Sequence, residues 1–140
     1  MVILKKIRKR IESRLLNEWL REKHLTSLQW KRVRVGPIPN PEIGRASVVL
    51  MRWADAIFIE DGFVNIVEAK IRPNAEAIGQ LEYYKKKFPE TPEFTVYKDW
   101  PIKMIFLTTM LDAGIAEHCW EKGIKYRIYA PKWALEELAR

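Results

Sequence analysis

The stretch ADAIFIEDGFVNIVEAK, residues 54–70, holds two apolar runs folded about Asp61-Gly62, with an acid near each end. A two-residue Asp-Gly loop is a strong hairpin signal, because both turn residues must tolerate positive φ. With that loop Glu60 faces Phe63, and every opposed pair has numbers that sum to 123, a value Asp55 and Glu68 also meet. The register therefore sets the two carboxylates opposite each other, at roughly 5 Å between Cβ atoms. Period-two alternation places Asp55, Ile57 and Ile59 on one face with Val64, Ile66, Glu68 and Lys70.

Like charges opposed across a ladder are destabilising, so structure alone gives no reason to choose them. A divalent cation removes the penalty. Two carboxylates, a backbone carbonyl and waters are the hard oxygen ligands that Mg²⁺ prefers. The Lys70 ammonium, directed to the same region, can orient a water or neutralise charge growing on a phosphate. These residues point to a metal-dependent phosphodiesterase. Glu-x-Lys is a common triplet and a salt-bridged surface hairpin would also contain it; the opposed second acid and the apolar setting set this one apart.

Outward from the hairpin, residues 3–23 place Leu4, Ile7, Ile11, Leu15 and Trp19 at helical spacing among charges. Residues 31–35 alternate as a short strand, and GPIPNPEIGRA, residues 36–46, must be loop. Residues 47–51 are apolar and β-branched, a further strand or the start of the one that contains Asp55. Residues 75–88 read as a helix, 88–101 as a proline-bearing loop that either crosses a substrate groove or connects elements. Residues 102–108 read as a buried strand, 112–122 as a helix, 124–129 as a strand, and 131–139 as a closing helix with Pro131 in its first turn. The order predicts an α/β fold, a single domain over residues 1–140 with a mixed central β-sheet flanked by helices.

Of 140 residues, 48% are hydrophobic and 31% charged, and no apolar run approaches the length of a membrane span, so no membrane partner and a cytoplasmic location are expected. One cysteine, Cys119, excludes a disulfide framework, a four-cysteine zinc site and an iron–sulfur cluster, and reads as a small buried hydrophobe. The formal charge of +7 and the basic clusters at residues 5–10, 31–34 and 85–87 suit a polyanion, although solvated helix faces also carry such runs.

Asp55, then Glu68-Ala69-Lys70, then Gln80-Leu81-Glu82-Tyr83-Tyr84 resembles the PD-(D/E)XK nuclease superfamily over about residues 3–108. The thirteen-residue gap from Asp55 to Glu68 looks like that of archaeal Holliday-junction resolvases, and the Gln-x-x-x-Tyr pattern like that of RecB-type nucleases. Ala54 stands where the family nominally has proline. The resemblance implies a restriction-endonuclease-like αβββαβ core and a DNA endo- or exonuclease using Mg²⁺ or Mn²⁺. It implies Asp55, Glu68 and the Ala69 carbonyl as metal ligands, and Asp55, Glu68, Lys70 and Gln80 as the catalytic set. The family often adds an acid from the first helix; Glu18 lies within the Ile7, Ile11, Leu15 stripe, with Glu22 near it, so Glu18 is the expected further ligand unless it pairs with Arg14 or Arg21.

DNA is the expected partner, held by Lys5, Lys6, Lys9 and Arg10 on the first helix and by Tyr84, Lys85, Lys86 and Lys87 on the next. For Gln80 and Tyr84 the other reading is i,i+4 packing beside Leu81. Tyr97 and Trp100, in the 88–101 loop, are candidates for base stacking. A junction resolvase would be a homodimer, and no dimer face is legible. The other functional reading is a non-catalytic DNA-binding or assembly protein that keeps the fold.

Overall fold

The computed structural model describes residues 2–38 and 52–140; the expected strand at 47–51 lies outside them. Helix α1 (Val2–Lys23) leads into β1 (Leu28–Val35), followed by β2 (Arg52–Glu60), β3 (Phe63–Ala69) and α2 (Glu76–Lys87). Two 3₁₀ turns (Phe88–Glu90 and Pro92–Tyr97) precede β4 (Ile102–Thr108), α3 (Ala113–Glu121), β5 (Ile124–Ile128) and α4 (Lys132–Ala139).

The five strands form one sheet in sequential order. β1, β2 and β3 are antiparallel, whereas β3, β4 and β5 run parallel because α2 and α3 carry the chain back between them. This mixed sheet flanked by helices is the expected α/β architecture, with the αβββαβ order intact. The hairpin register is as counted from the turn, from Glu60↔Phe63 to Ala56↔Val67. Asp61 (φ 53°) and Gly62 (φ 81°) supply the two positive φ values that the tight bend requires.

Two apolar layers cover the sheet. On one side α2 (Ala77, Ile78, Leu81, Tyr84) and α3 (Cys119) pack on Ile57, Val64, Ile66, Met104 and Phe106. On the other, α1 (Leu15, Leu16, Trp19, Leu20) and α4 (Ala134) pack on Ala56, Phe58, Val67, Ala69, Ile105 and Leu107. Cys119 is the buried hydrophobe it was read as.

The helical stripe on α1 differs from its expected line. Leu4 is 63% and Ile7 42% exposed, and the buried face runs through Glu12, Leu15, Leu16, Trp19 and Leu20. The first turns of α1 stand exposed, so its C-terminal half alone sets which face turns inward, about a quarter-turn from the predicted one. The 88–101 segment docks on the core through Phe88, Thr91 and Phe94, and Tyr97 packs edge-on against Trp30 and Trp100. It is a packed connector, and its aromatic rings are engaged with one another. Among the described residues no helix is long and apolar enough to cross a membrane.

Candidate active site

Beyond Ala56↔Val67 the β2–β3 ladder gives way to the two acids. The Asp55 N–H donates to Glu68 Oε1 at 3.3 Å, and the Ala69 N–H donates to Asp55 Oδ2 at 2.8 Å. Each carboxylate thus takes a backbone donor from the facing strand, which locks the pair where strand pairing ends. Glu68 is 2% exposed, and its carboxyl is pushed up to about 8. Burial is the largest cause and the negative charge of Asp55 the next; Lys70 and the Asp55 N–H pull in the opposite direction.

Glu12, on the inward face of α1, is 7% exposed and accepts from the Ile71 N–H at 3.0 Å. Its carboxyl is raised by burial, opposed by the Ile71 bond and by Lys70 and Lys9, with Asp55 adding a smaller upward push. Glu12, Asp55, Glu68 and Lys70 therefore share one electrostatic neighbourhood. Glu12 is the helix-borne acid that sequence reading missed. Its spacing to Leu15, Leu16 and Trp19 was the available signal, hidden by anchoring the stripe on Leu4 and Ile7.

Glu18, the acid expected there, is elsewhere. Its carboxylate accepts from Arg14 Nε at 3.3 Å and from Trp133 Nε1 at 2.7 Å, tying α1 to α4. The alternative reading, a pairing with Arg14, is thus the one the structure shows, and it follows from the rotated helix face.

Asp55 opens on a pocket of about 460 Å³ between α1, the β1–β2 edge and α2, lined also by Lys9, Glu12, Arg32, Gln80 and Tyr84 among others, with Glu68 buried behind it. An adjoining depression of about 480 Å³ holds Lys5, Lys9, Glu12, Lys70 and Gln80. Gln80 belongs to both, and its Oε1 is buried without a hydrogen-bond partner. Such an orphaned acceptor beside two carboxylates is a place for a water or a cation.

The remaining expected residues divide. Lys5 and Lys9 flank the site, whereas Lys6 and Arg10 are exposed on α1 and line neither pocket. Lys85 and Lys86 border a separate depression with Glu82, Met104 and Lys122, and Lys87 pairs with Glu90 at 3.3 Å. Tyr84 is not a surface contact for DNA: it is 3% exposed, and its hydroxyl donates to the Trp53 carbonyl at 2.8 Å. Burial, then the charges of Glu68 and Asp55, raise its phenol, so it stays neutral and braces β2 beside the acids.

Among the described residues no three His, Cys, Asp or Glu side chains form a preformed metal cage. The set present fits a hard cation that keeps most of its waters: two opposed carboxylates, one strongly buried, with an orphaned amide oxygen alongside.

No protein-family profile matches the sequence, and no curated protein matches it. Several solved structures share its fold, EndoMS and Can2 among them. EndoMS in complex with double-stranded DNA is 17% identical with a TM-score of 0.51, over 86% of this chain and 45% of that one. Can2 from Sulfobacillus thermosulfidooxidans, in complex with cyclic tetra-adenylate, is 11% identical with a TM-score of 0.53, over 95% of this chain and 34% of that one. The chain thus spans less than half the length of either. The shared fold is the mixed five-stranded sheet flanked by helices, of the restriction-endonuclease-like α/β class.

Proposed function

We propose that the chain is a metal-dependent DNA nuclease that hydrolyses phosphodiester bonds, with Asp55 and Glu68 at its centre. The observation that carries this reading is the interlocked pair: two carboxylates, one nearly fully buried and the other lining a pocket, held face to face with a lysine nearby. Asp55, Glu68 and the Ala69 carbonyl would hold Mg²⁺ or Mn²⁺, which supplies Lewis-acid activation of the phosphate and of water. The chain's own groups do the rest. Lys70 neutralises charge that grows on the phosphate oxygens, Glu12 holds the start of the 71–74 segment through Ile71 N–H, and Gln80 offers an acceptor that orients an incoming water. Lys5 and Lys9 hold the strand's backbone at the mouth. The DNA in the EndoMS complex supports a nucleic-acid partner.

The test is a cleavage panel of single-stranded, duplex, flap and four-way DNA with Mg²⁺, Mn²⁺ or chelator. Cleavage is expected with either ion, and Lys70→Ala is expected to lower the rate by about 10²-fold or more, in line with the loss of one transition-state contact, while DNA binding persists. Asp55→Ala and Glu68→Ala abolish the metal response. A Lys70→Ala protein that cuts at the wild-type rate overturns the assignment. The second reading, a DNA-binding or assembly protein that keeps the fold, draws on the lack of a third carboxylate in a preformed cage among the described residues. It predicts DNA binding without cleavage by any member of the panel.

A further inference from the structure

Arg32, in the middle of β1, has φ 53°, a left-handed conformation that glycine or asparagine adopts far more readily than arginine. The β1–β2 ladder pairs Lys31 with Ala56 and Val33 with Ala54, and omits the residues between, Arg32 and Asp55. The omission coincides with a change of face. Trp30 and its partner Ile57 pack in the α2 layer, and so do Val33 and its partner Ala54, although an odd step along a regular strand ends on the opposite face. The strand edge is therefore re-aimed at the position across from Asp55.

Backbone strain of this kind persists where the surrounding structure over-determines it, often beside a functional site. Here the strained residue lines the same pocket as Asp55, together with Lys31 and Lys9. Arg34, two positions on, is committed to Glu93 through two bonds of 2.6 and 2.8 Å. On the rim of the pocket stands Trp53, 45% exposed, its backbone held by the Tyr84 hydroxyl.

We propose that this rim is a nucleotide subsite: Arg32 holds the phosphate next to the one at Asp55 and Glu68, and Trp53 stacks on that nucleotide's base. The strand that enters is therefore unpaired at this point. The inference rests on the reading of the pocket as a nuclease site and adds its substrate class. A base whose flat face lies on tryptophan is withdrawn from a duplex stack, and stacking of this kind tolerates any sequence. The pocket is walled by α1 on one side and by Gln80 and Tyr84 of α2 on the other.

The test is fluorescence anisotropy in chelator, across a salt series, with a labelled oligothymidylate and a duplex of equal length. The wild type is expected to favour the single strand. Arg32→Gly is expected to keep or raise the thermal midpoint, since glycine relieves the strain, while strand affinity falls about tenfold and the salt slope shrinks by roughly 0.7, the share of one phosphate contact. Trp53→Ala is expected to erase the preference for single strands, and Trp53→Phe to keep most of it. Arg32→Gly with wild-type affinity and slope overturns the proposal, as does a wild type that favours duplex. A protein that binds neither probe overturns this inference and the nuclease reading together. Strand binding that depends on Arg32 and Trp53, without cleavage in Mg²⁺ or Mn²⁺, sustains the subsite and overturns the nuclease reading alone.

Discussion

Glu68 joins a buried position to a second negative charge, and its titration follows from that. Its ordinary value is 4.5 and the fold raises it to about 8, so the native state favours the protonated form. The stability this carboxyl contributes is whole below about pH 4.5 and is lost as pH rises through about 8. Glu68→Gln removes the titration. Its thermal midpoint should match the wild type at pH 4.5, exceed it increasingly up to pH 8, and keep a constant lead above. Millimolar Mg²⁺ at pH 8 should restore the wild type and leave the Gln variant unmoved. A pH-independent difference between the two proteins would show that burial does not strain this group. The residue itself was legible in sequence because a two-residue turn fixes the register, and counting outward from Asp61-Gly62 reaches Asp55 and Glu68 together. Arg32 was not legible, since a left-handed φ at an arginine leaves no compositional mark.

At the scale of elements, α1 decides which acid joins the site. A helix presents a new side chain every 100°, so its pattern fixes the apolar stripe only where the stripe is covered. Sequence alone cannot tell that Leu4 and Ile7 stay exposed, and this one unknown exchanged Glu12 for Glu18. The two variants should separate cleanly. Glu12→Gln keeps an acceptor for the Ile71 N–H, so stability should change little, while the altered charge beside Lys70 lowers cleavage about tenfold. Glu18→Ala loses its bonds to Trp133 and Arg14, costing about 1 kcal/mol in urea unfolding with the cleavage rate unchanged. Equal loss of cleavage in both variants would restore the predicted helix face. Tyr84 shows the same limit: its place four residues after Gln80 was readable, but its bond to the Trp53 carbonyl depends on how closely α2 approaches β2.

At the scale of the whole molecule, the alternation of elements was enough to give the mixed sheet, because each helix between parallel strands is a necessary crossover. The basic excess was a weaker guide: the clusters at 5–10 and 31–34 reach the pocket in part, and that at 85–87 stands apart. The position of the acid pair at the open end of the hairpin, farthest from its bend, also bears on how the chain acquires its native state. The meander can zip from the bend with little loop closure, whereas β4 joins β3 only after a long excursion. Burial is the largest cause of the strain on Glu68, and it needs the layers that pack on the hairpin after it has formed, so the strain is expected to arise late in folding. In stopped-flow chevrons at pH 8, Glu68→Gln should slow the unfolding arm and leave the refolding arm near the wild type; a change confined to refolding would place the strain early. On that expectation the chain becomes compact before Glu68 is strained, and the cost of the buried acid is deferred until the rest of the architecture can contain it.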